Sequence, residues 1–248
     1  MGVHEDLRIH DLHRIVGHLP HQPSPTPTLA ALEDDLGALG VQSCSAVHSW
    51  QLWGDPSGPD RDQIDLGGSD VVTMVPVVIP ATGDAGWPRT ADDLLATGVR
   101  LVRACPTRHR WGLQSRVAMQ WWESLAAAGC ALSLDLEEVG FGAVQALARA
   151  LPELVIVALN PGYRELRRSA ELLDTCPAVL LETGTLNTAG ALEWLATTAG
   201  ADRLVFGTGG PIADDAGATW VLRHLDLPRD QVDQIAHGNA LALLGGPR

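Results

Sequence analysis

The chain has 248 residues, 46% of them hydrophobic and only 4% aromatic, and carries a net charge of −13. Length and apolar content predict one domain, residues 1–248, with a mainly aliphatic core. No basic run offsets the acidity, so nucleic acid and anionic membrane surfaces are excluded as partners. Every basic side chain other than histidine is arginine. Without a lysine there is no Schiff-base nucleophile, no anchor for a pyridoxal cofactor and no phosphate-loop lysine.

Strand-like and helix-like segments alternate along the chain. Strands are predicted near Leu7–His13, Val41–Ser49, Val71–Ile79, Arg100–Cys105, Cys130–Glu137, Leu154–Asn160, Ala178–Thr183 and Arg203–Gly209. Short runs rich in valine and leucine suit strands buried on both faces. Between them, apolar residues recur at helical spacing in Thr28–Leu39, Thr90–Leu95, Arg116–Ala128, Gly142–Leu151, Tyr163–Leu173 and Ala189–Thr198. Ser115 and Thr188 are placed to cap two of these. Helices at Ala218–Leu225 and Pro228–Leu244 follow the last strand. Gly54–Gly68, rich in glycine, proline and aspartate, reads as a mobile loop over the active face.

Eight strands alternating with helices predict an α/β fold, a single-domain (β/α)8 TIM barrel. The competing open sheet needs a glycine-rich phosphate loop after its first strand. The loop here, Val16–Thr26, is instead rich in proline, with His18 and His21. The four cysteines, at 44, 105, 130 and 176, form no C-x-x-C pair and read as reduced thiols of a cytoplasmic protein. The N-terminus has no apolar signal segment, and no window is long and apolar enough to span a bilayer.

A barrel of this kind carries its site at the carboxyl ends of its strands. The polar residues there are Asp11 and His13, His48 and Trp50, Arg103, Asp135 and Glu137, Asn160, Glu182 and Thr208. Asp135 and Glu137 share strand parity and are expected to face the mouth together. Close carboxylates push one pKa upward, which suits acid–base work. Arg103, on the neighbouring strand, either clamps a substrate carboxylate or neutralises this pair as a structural ion bridge. By strand parity His10 faces away from His13. His4, His10, His18 and His21 then read as solvated or helix-facing rather than as a metal tract. Trp50, Trp53 and Trp111 follow strand ends and are candidates for lining a pocket. Trp121-Trp122 reads as core or a subunit contact.

Two segments carry a family resemblance. Asp11-Leu12-His13-Arg14-Ile15 resembles the D-x-H-x-H first strand, and Phe206-Gly207-Thr208-Gly209-Gly210-Pro211 the F-G-[ST]-D-x-P last strand, of the amidohydrolase-related TIM-barrel enzymes. These are the amidohydrolase 2 type, which includes aminocarboxymuconate semialdehyde decarboxylase. The terminal Ile235–Gly245 segment, IAHGNALALLG, is similar to that family's closing helix. The resemblance implies a metal-dependent hydrolase or decarboxylase. It also shows what is missing, because Ile15 and Gly209 stand at two expected ligand positions and no lysine is present to bridge two metals.

Of the family's ligands His13 survives, aided by Asp11, Asp135 or Glu137. That set implies at most one weakly held divalent metal, Zn²⁺ or Mn²⁺. One reading is an atypical hydrolase or decarboxylase of a small carboxylated or lactone-like substrate. In it Asp11, His13, Asp135, Glu137 and Glu182 are catalytic, and His48, Trp50, Arg103, Asn160 and Thr208 bind substrate. The other is a catalytically inactive pseudoenzyme that binds a small-molecule ligand or pairs with an intact amidohydrolase subunit. The expected assembly is a homo-oligomer or a hetero-oligomer with such a paralogue.

Overall fold

The computed structural model describes residues 3–54, 69–80 and 90–245. Strands β1 (His10–Val16), β2 (Ser43–His48) and β3 (Val72–Met74) form one parallel sheet. Strands β4 (Val77–Val78), β5 (Leu101–Ala104), β6 (Ala131–Asp135), β7 (Ile156–Leu159), β8 (Val179–Glu182) and β9 (Leu204–Val205) form a second. The two sheets join into one closed barrel. At one seam, Val71–Ile79 is a single barrel strand cut by Pro76, which has no N–H to give. Val75 N–H still reaches the Ala46 carbonyl at 2.8 Å, and the Pro76 carbonyl accepts from Arg103 N–H at 2.9 Å. At the other, Leu12 N–H donates to the Phe206 carbonyl (3.0 Å) and Gly209 N–H to the His13 carbonyl (2.9 Å).

Helices coat the outside: α1 (Leu29–Leu39), α2 (Ser49–Trp53), α3 (Ala91–Leu95), α4 (Arg116–Ala127), α5 (Leu136–Val139), α6 (Phe141–Ala150), α7 (Leu166–Thr175), α8 (Ala191–Ala199) and α9 (Asp215–Arg223). On α4, Ala118, Trp121, Trp122 and Leu125 are buried at the i, i+3, i+4, i+7 spacing of a core-facing stripe. Trp122 gives its indole N–H to the Leu113 carbonyl at 2.8 Å, and Trp111 packs at 6.1 Å from it. Trp111 thus packs against the α4 stripe at the edge of the outer core. A smaller apolar cluster fills the barrel: Leu12, Ile15, Val47, Val77, Leu101, Ala131, Val157 and Val205. Ala240, from α11 (Asn239–Leu243), packs into the same cluster.

Thr28, Thr90 and Ser115 cap helices through their hydroxyls, each accepting a backbone N–H two or three residues into the helix. Thr188 does not. Its hydroxyl donates to the Tyr163 carbonyl, and Gly190 begins α8 without a side-chain cap. The expected Pro228–Leu244 helix is α10 (Arg229–Asp233), a wide π turn at Gln234–Gly238, and α11. Asn239 fixes that break, sending its amide to the Ala201 and Leu204 carbonyls at the barrel floor. The expected Gly54–Gly68 loop lies, after Gly54, outside the described residues.

The first strand departs most usefully from its sequence reading. It runs His10–Val16, three residues later than expected. Asp11 pairs with Cys44 and Arg14 with Ala46, so Leu12 and His13 together oppose Ser45. This β-bulge resets the side-chain alternation. His10 consequently points the same way as His13. Its ring lies between the Ser43 and Ser45 hydroxyls at 2.8 and 3.0 Å, on the face of β2 that also carries Val47. The helix-facing reading of His10 is overturned.

Candidate active site

The bulge divides the polar residues of the mouth into two groups. His13 and Ile15 face inward with Leu12, whereas Asp11 and Arg14 face the helices. Inside, five residues from five strand ends close a ring. Arg103 Nη1 approaches His13 Nε2 at 2.6 Å, and Arg103 Nη2 donates to Asp135 Oδ2 at 3.1 Å. Asn160 Nδ2 donates to the same oxygen at 2.8 Å, and its backbone N–H reaches Glu182 Oε2 at 2.6 Å. Glu182 Oε1 faces His13 Nδ1 at 3.4 Å. Asn160 takes a left-handed backbone (φ 50°), which asparagine tolerates, and so turns amide and side chain to the two carboxylates.

A guanidinium can only donate, which fixes the hand of His13. Nε2 presents its lone pair to Arg103, and the ring proton sits on Nδ1, toward Glu182. The ring packs because Gly207 has no side chain. A Cβ there would stand 2.9 Å from Glu182 Cγ and 3.0 Å from His13 Cβ. His13, Arg103, Asp135 and Glu182 are all buried.

On the outer face, Asp11 Oδ1 accepts the backbone N–H groups of His13 and Thr208, each at 3.0 Å. Asp11 Oδ2 accepts the Thr208 hydroxyl at 2.6 Å. Beside them Arg14, fully buried, reaches Asp35 of α1 and, at 2.7 Å, Asp215 of α9. Burial pushes the Asp11 carboxyl upward, against Arg14, Thr208 and the His13 amide, which favour its charge. Burial likewise opposes the charge on Arg14, but Asp11, Asp215 and Asp35 together outweigh it and hold the guanidinium protonated. Sequence reasoning passed over Arg14, Asp35 and Asp215. The available signal was an arginine flanked on both sides by buried strand residues.

The remaining candidates lie apart from the ring. Glu137 is exposed and lines a cleft of about 420 Å³ with Tyr163, Thr185, Asp214 and Trp220. It does not share the inward face with Asp135, because Asp135 ends β6 and caps α5, accepting Glu137 N–H at 3.0 Å. His48 accepts Trp50 N–H through Nδ1 at 3.2 Å and lines a separate cleft with Gln51 and Met74. Burial, then His18 nearby, pull the His48 imidazole pKa below its usual value. Trp50 is exposed, and Arg108 lies over the ring of Trp53 at 5.2 Å. Thr208 belongs to the outer group. All four cysteines are buried and unpaired.

The chain matches the amidohydrolase family profile over residues 67–246. This chain belongs to the amidohydrolase family. Solved amidohydrolase-fold structures overlay nearly the whole chain at low identity. A 5-carboxyvanillate decarboxylase from Sphingomonas paucimobilis gives a TM-score of 0.74 at 11% identity, covering 98% of this chain and 100% of that one. A probable 2-pyrone-4,6-dicarboxylic acid hydrolase from Acinetobacter baumannii gives 0.63 at 13%, covering 96% and 100%. An amidohydrolase from Burkholderia multivorans with bound zinc gives 0.67 at 15%, covering 97% and 100%. A comparison with curated protein sequences finds no match.

Among the described residues, those at the barrel mouth do not fit a divalent ion. Coordination takes three or four convergent donors with free lone pairs. Among the described residues no group of three His, Cys, Asp or Glu side chains is so arranged. His13 Nε2 is covered by a permanent cation, Arg103, and Ile15 is packed in the apolar cluster. Gly209 adopts φ +73°, and a Cβ there would point between Asn160 Oδ1 (3.4 Å) and His13 Cε1 (3.6 Å), where this chain offers no carboxylate. The weak site expected at His13 with Asp11, Asp135 or Glu137 is not assembled among the described residues: Asp11 faces the helices, Glu137 the solvent, and Asp135 Oδ2 is held by Arg103 and Asn160. Among the described residues no helix is long and apolar enough to cross a membrane.

Proposed function

We propose that this amidohydrolase is catalytically inactive in the metal-dependent hydrolysis and decarboxylation of its fold relatives, and works by binding a small ligand or pairing with an intact amidohydrolase subunit. The observation that carries this reading is the closed ring Arg103–His13–Glu182–Asn160–Asp135. Both ring nitrogens of His13 and every carboxylate oxygen of Asp135 and Glu182 already face a partner, so none of them is left aimed at a substrate as base or acid. A buried polar network satisfied in this way rigidifies a barrel mouth. The contacts of Arg103 with His13 and Asp135 support the structural ion-pair role weighed for it from the sequence, with Asp135 alone of the two expected carboxylates. The cleft beside Glu137, Tyr163 and Trp220 is open to a ligand without disturbing the ring.

A second reading is a metal-free acid–base enzyme acting on a small carboxylated molecule. It is favoured by one feature: Arg103 Nε is buried without a hydrogen-bond partner. In that case Arg103 would hold the substrate carboxylate and Asp135 would move the proton.

Metal content and turnover separate these readings. Tag-free protein supplemented with Zn²⁺ or Mn²⁺ is assayed with 5-carboxyvanillate for CO₂ release and 2-pyrone-4,6-dicarboxylate for ring opening. The inactive barrel retains no stoichiometric metal and turns over neither compound. Turnover without metal that disappears in Asp135→Asn establishes the second reading. One metal per chain, lost in His13→Ala together with turnover, overturns both.

A further inference from the structure

In a chain with few aromatic side chains, Tyr163 and Trp220 stand 51% and 58% exposed in the walls of one cleft. This cleft of about 420 Å³ opens between the segments that follow β6, β7, β8 and β9. Its charged walls are Glu137 and Asp214, both exposed. Among the described residues none of its walls is basic, and neither carboxylate is paired with a cation.

The walls are fixed from behind. Asp135 of the ring accepts Glu137 N–H at 3.0 Å and so sets where Glu137 leaves β6. Gly162 N–H donates to the Thr185 hydroxyl at 2.9 Å, and the Thr188 hydroxyl donates to the Tyr163 carbonyl at 3.1 Å. These bonds tie the loop after β7 to the loop after β8. The Trp220 indole stacks on His224, with centroids 4.0 Å apart and 20° between the planes. An anion is the poorer guest, although α9 begins here. Asp214 itself caps that helix, accepting Gly217 N–H at 2.9 Å, so the positive helix end already holds a carboxylate. Aromatic faces attract cations, alkylated ammonium groups above all. Tyr163 already draws the Arg164 guanidinium over its ring, at 5.1 Å.

Resting on the ligand-binding reading above, we infer that this cleft is a binding site for a small organic cation, a quaternary or alkylated ammonium, with Tyr163 and Trp220 as its aromatic walls and Glu137 and Asp214 as its counter-charges. The closed ring holds the walls, and the cleft selects the ligand.

The test titrates the full chain, in EDTA and by calorimetry, with choline and with 3,3-dimethylbutan-1-ol, which copies the shape of choline without its charge. Choline is expected to bind with a dissociation constant of about 1 mM or below, and the neutral alcohol at least about tenfold more weakly. Trp220→Leu and Tyr163→Leu each weaken choline about three- to fivefold. Glu137→Gln/Asp214→Asn weakens it about tenfold. A control with the same change in net charge, Asp34→Asn/Glu123→Gln on the exposed faces of α1 and α4, leaves binding unchanged. All the substituted side chains are exposed, and Asp214→Asn keeps a capping residue at the head of α9. Unchanged Tm values check that the variants fold.

The inference is overturned if choline shows no saturable binding up to about 10 mM, if the neutral alcohol binds equally well, or if the cleft variants behave like the control. Such a failure leaves the inactive barrel standing with a different ligand or a partner subunit. Metal-dependent turnover in the assays above would strike down the inactive reading whatever choline does, so the two failures are distinguishable.

Discussion

Thr208 gives both its backbone N–H (3.0 Å) and its hydroxyl (2.6 Å) to the carboxylate of Asp11, 197 residues earlier in the chain. This bond joins the first strand end to the last and closes the barrel from its helix-facing side. Arg14 locks the joint by donating to the Thr208 hydroxyl (3.3 Å) while binding Asp215 and Asp35. The polar residues of the first strand are thus divided by the bulge between closure and the inner ring.

Removing Arg14 is expected to be severe. Arg14→Met leaves Asp11 buried with no cation beside it, and breaking a buried pair in this way costs about 3–5 kcal/mol. Arg168→Ala, which breaks an exposed pair with Glu165, is expected to change stability by less than about 1 kcal/mol. Urea unfolding of the two variants checks the contrast, and equal midpoints would refute the central place given to Arg14.

Glu182→Gln tests the direction of the hydrogen bonds in the ring. Arg103 obliges His13 to donate through Nδ1, and Asn160 donates its N–H to the other carboxylate oxygen. A glutamine offers one acceptor oxygen for these two donors, so its NH₂ must face another N–H. The expected cost is about 1–3 kcal/mol. Chemical denaturation gives the loss, and imidazole ¹⁵N shifts report whether His13 keeps its Nδ1 proton.

Acid should weaken the fold through His10. Burial, with His237 nearby, lowers its pKa from 6.5 to about 4. Between these values the unfolded chain binds the proton and the folded chain does not. Stability from this group is therefore complete above pH 6.5, falls as pH drops toward 4, and levels off below it. The full effect is on the order of 3 kcal/mol. His10→Asn should flatten the urea-midpoint profile across that window, and an unchanged slope would count against the assignment.

Gly184 permits the close approach of the ends of β8 and β9. A Cβ at this position would fall on the Gly207 carbonyl oxygen and lie 2.9 Å from Thr208 Cα. Both are backbone atoms that cannot swing aside. Gly184→Ala is expected to cost about 3 kcal/mol, the upper part of the overpacking range, read as a lowered Tm. Gly142→Ala, where nothing lies within 4 Å of the new Cβ, serves as its neutral partner.

The sequence by itself determined the alternation of strands and helices, and with it the barrel, because buried strands and core-facing helix stripes are written locally in apolar spacing. It also placed Asp11, His13, Arg103, Asp135, Asn160, Glu182 and Thr208 at strand ends, since that follows from chain order alone. Which of them meet was decided by the tertiary structure. One extra residue in β1 turned Asp11 to the helices and brought His10 and His13 to the same face, and parity counted along an isolated strand contains no sign of that bulge. Termination of β6 at Asp135 likewise sent Glu137 out to solvent. The pairing of Arg103 with His13, 90 residues apart, and the capture of Arg14 by Asp35 and Asp215 arise only when the closed barrel brings distant charges into a space with little water, where each must find a partner.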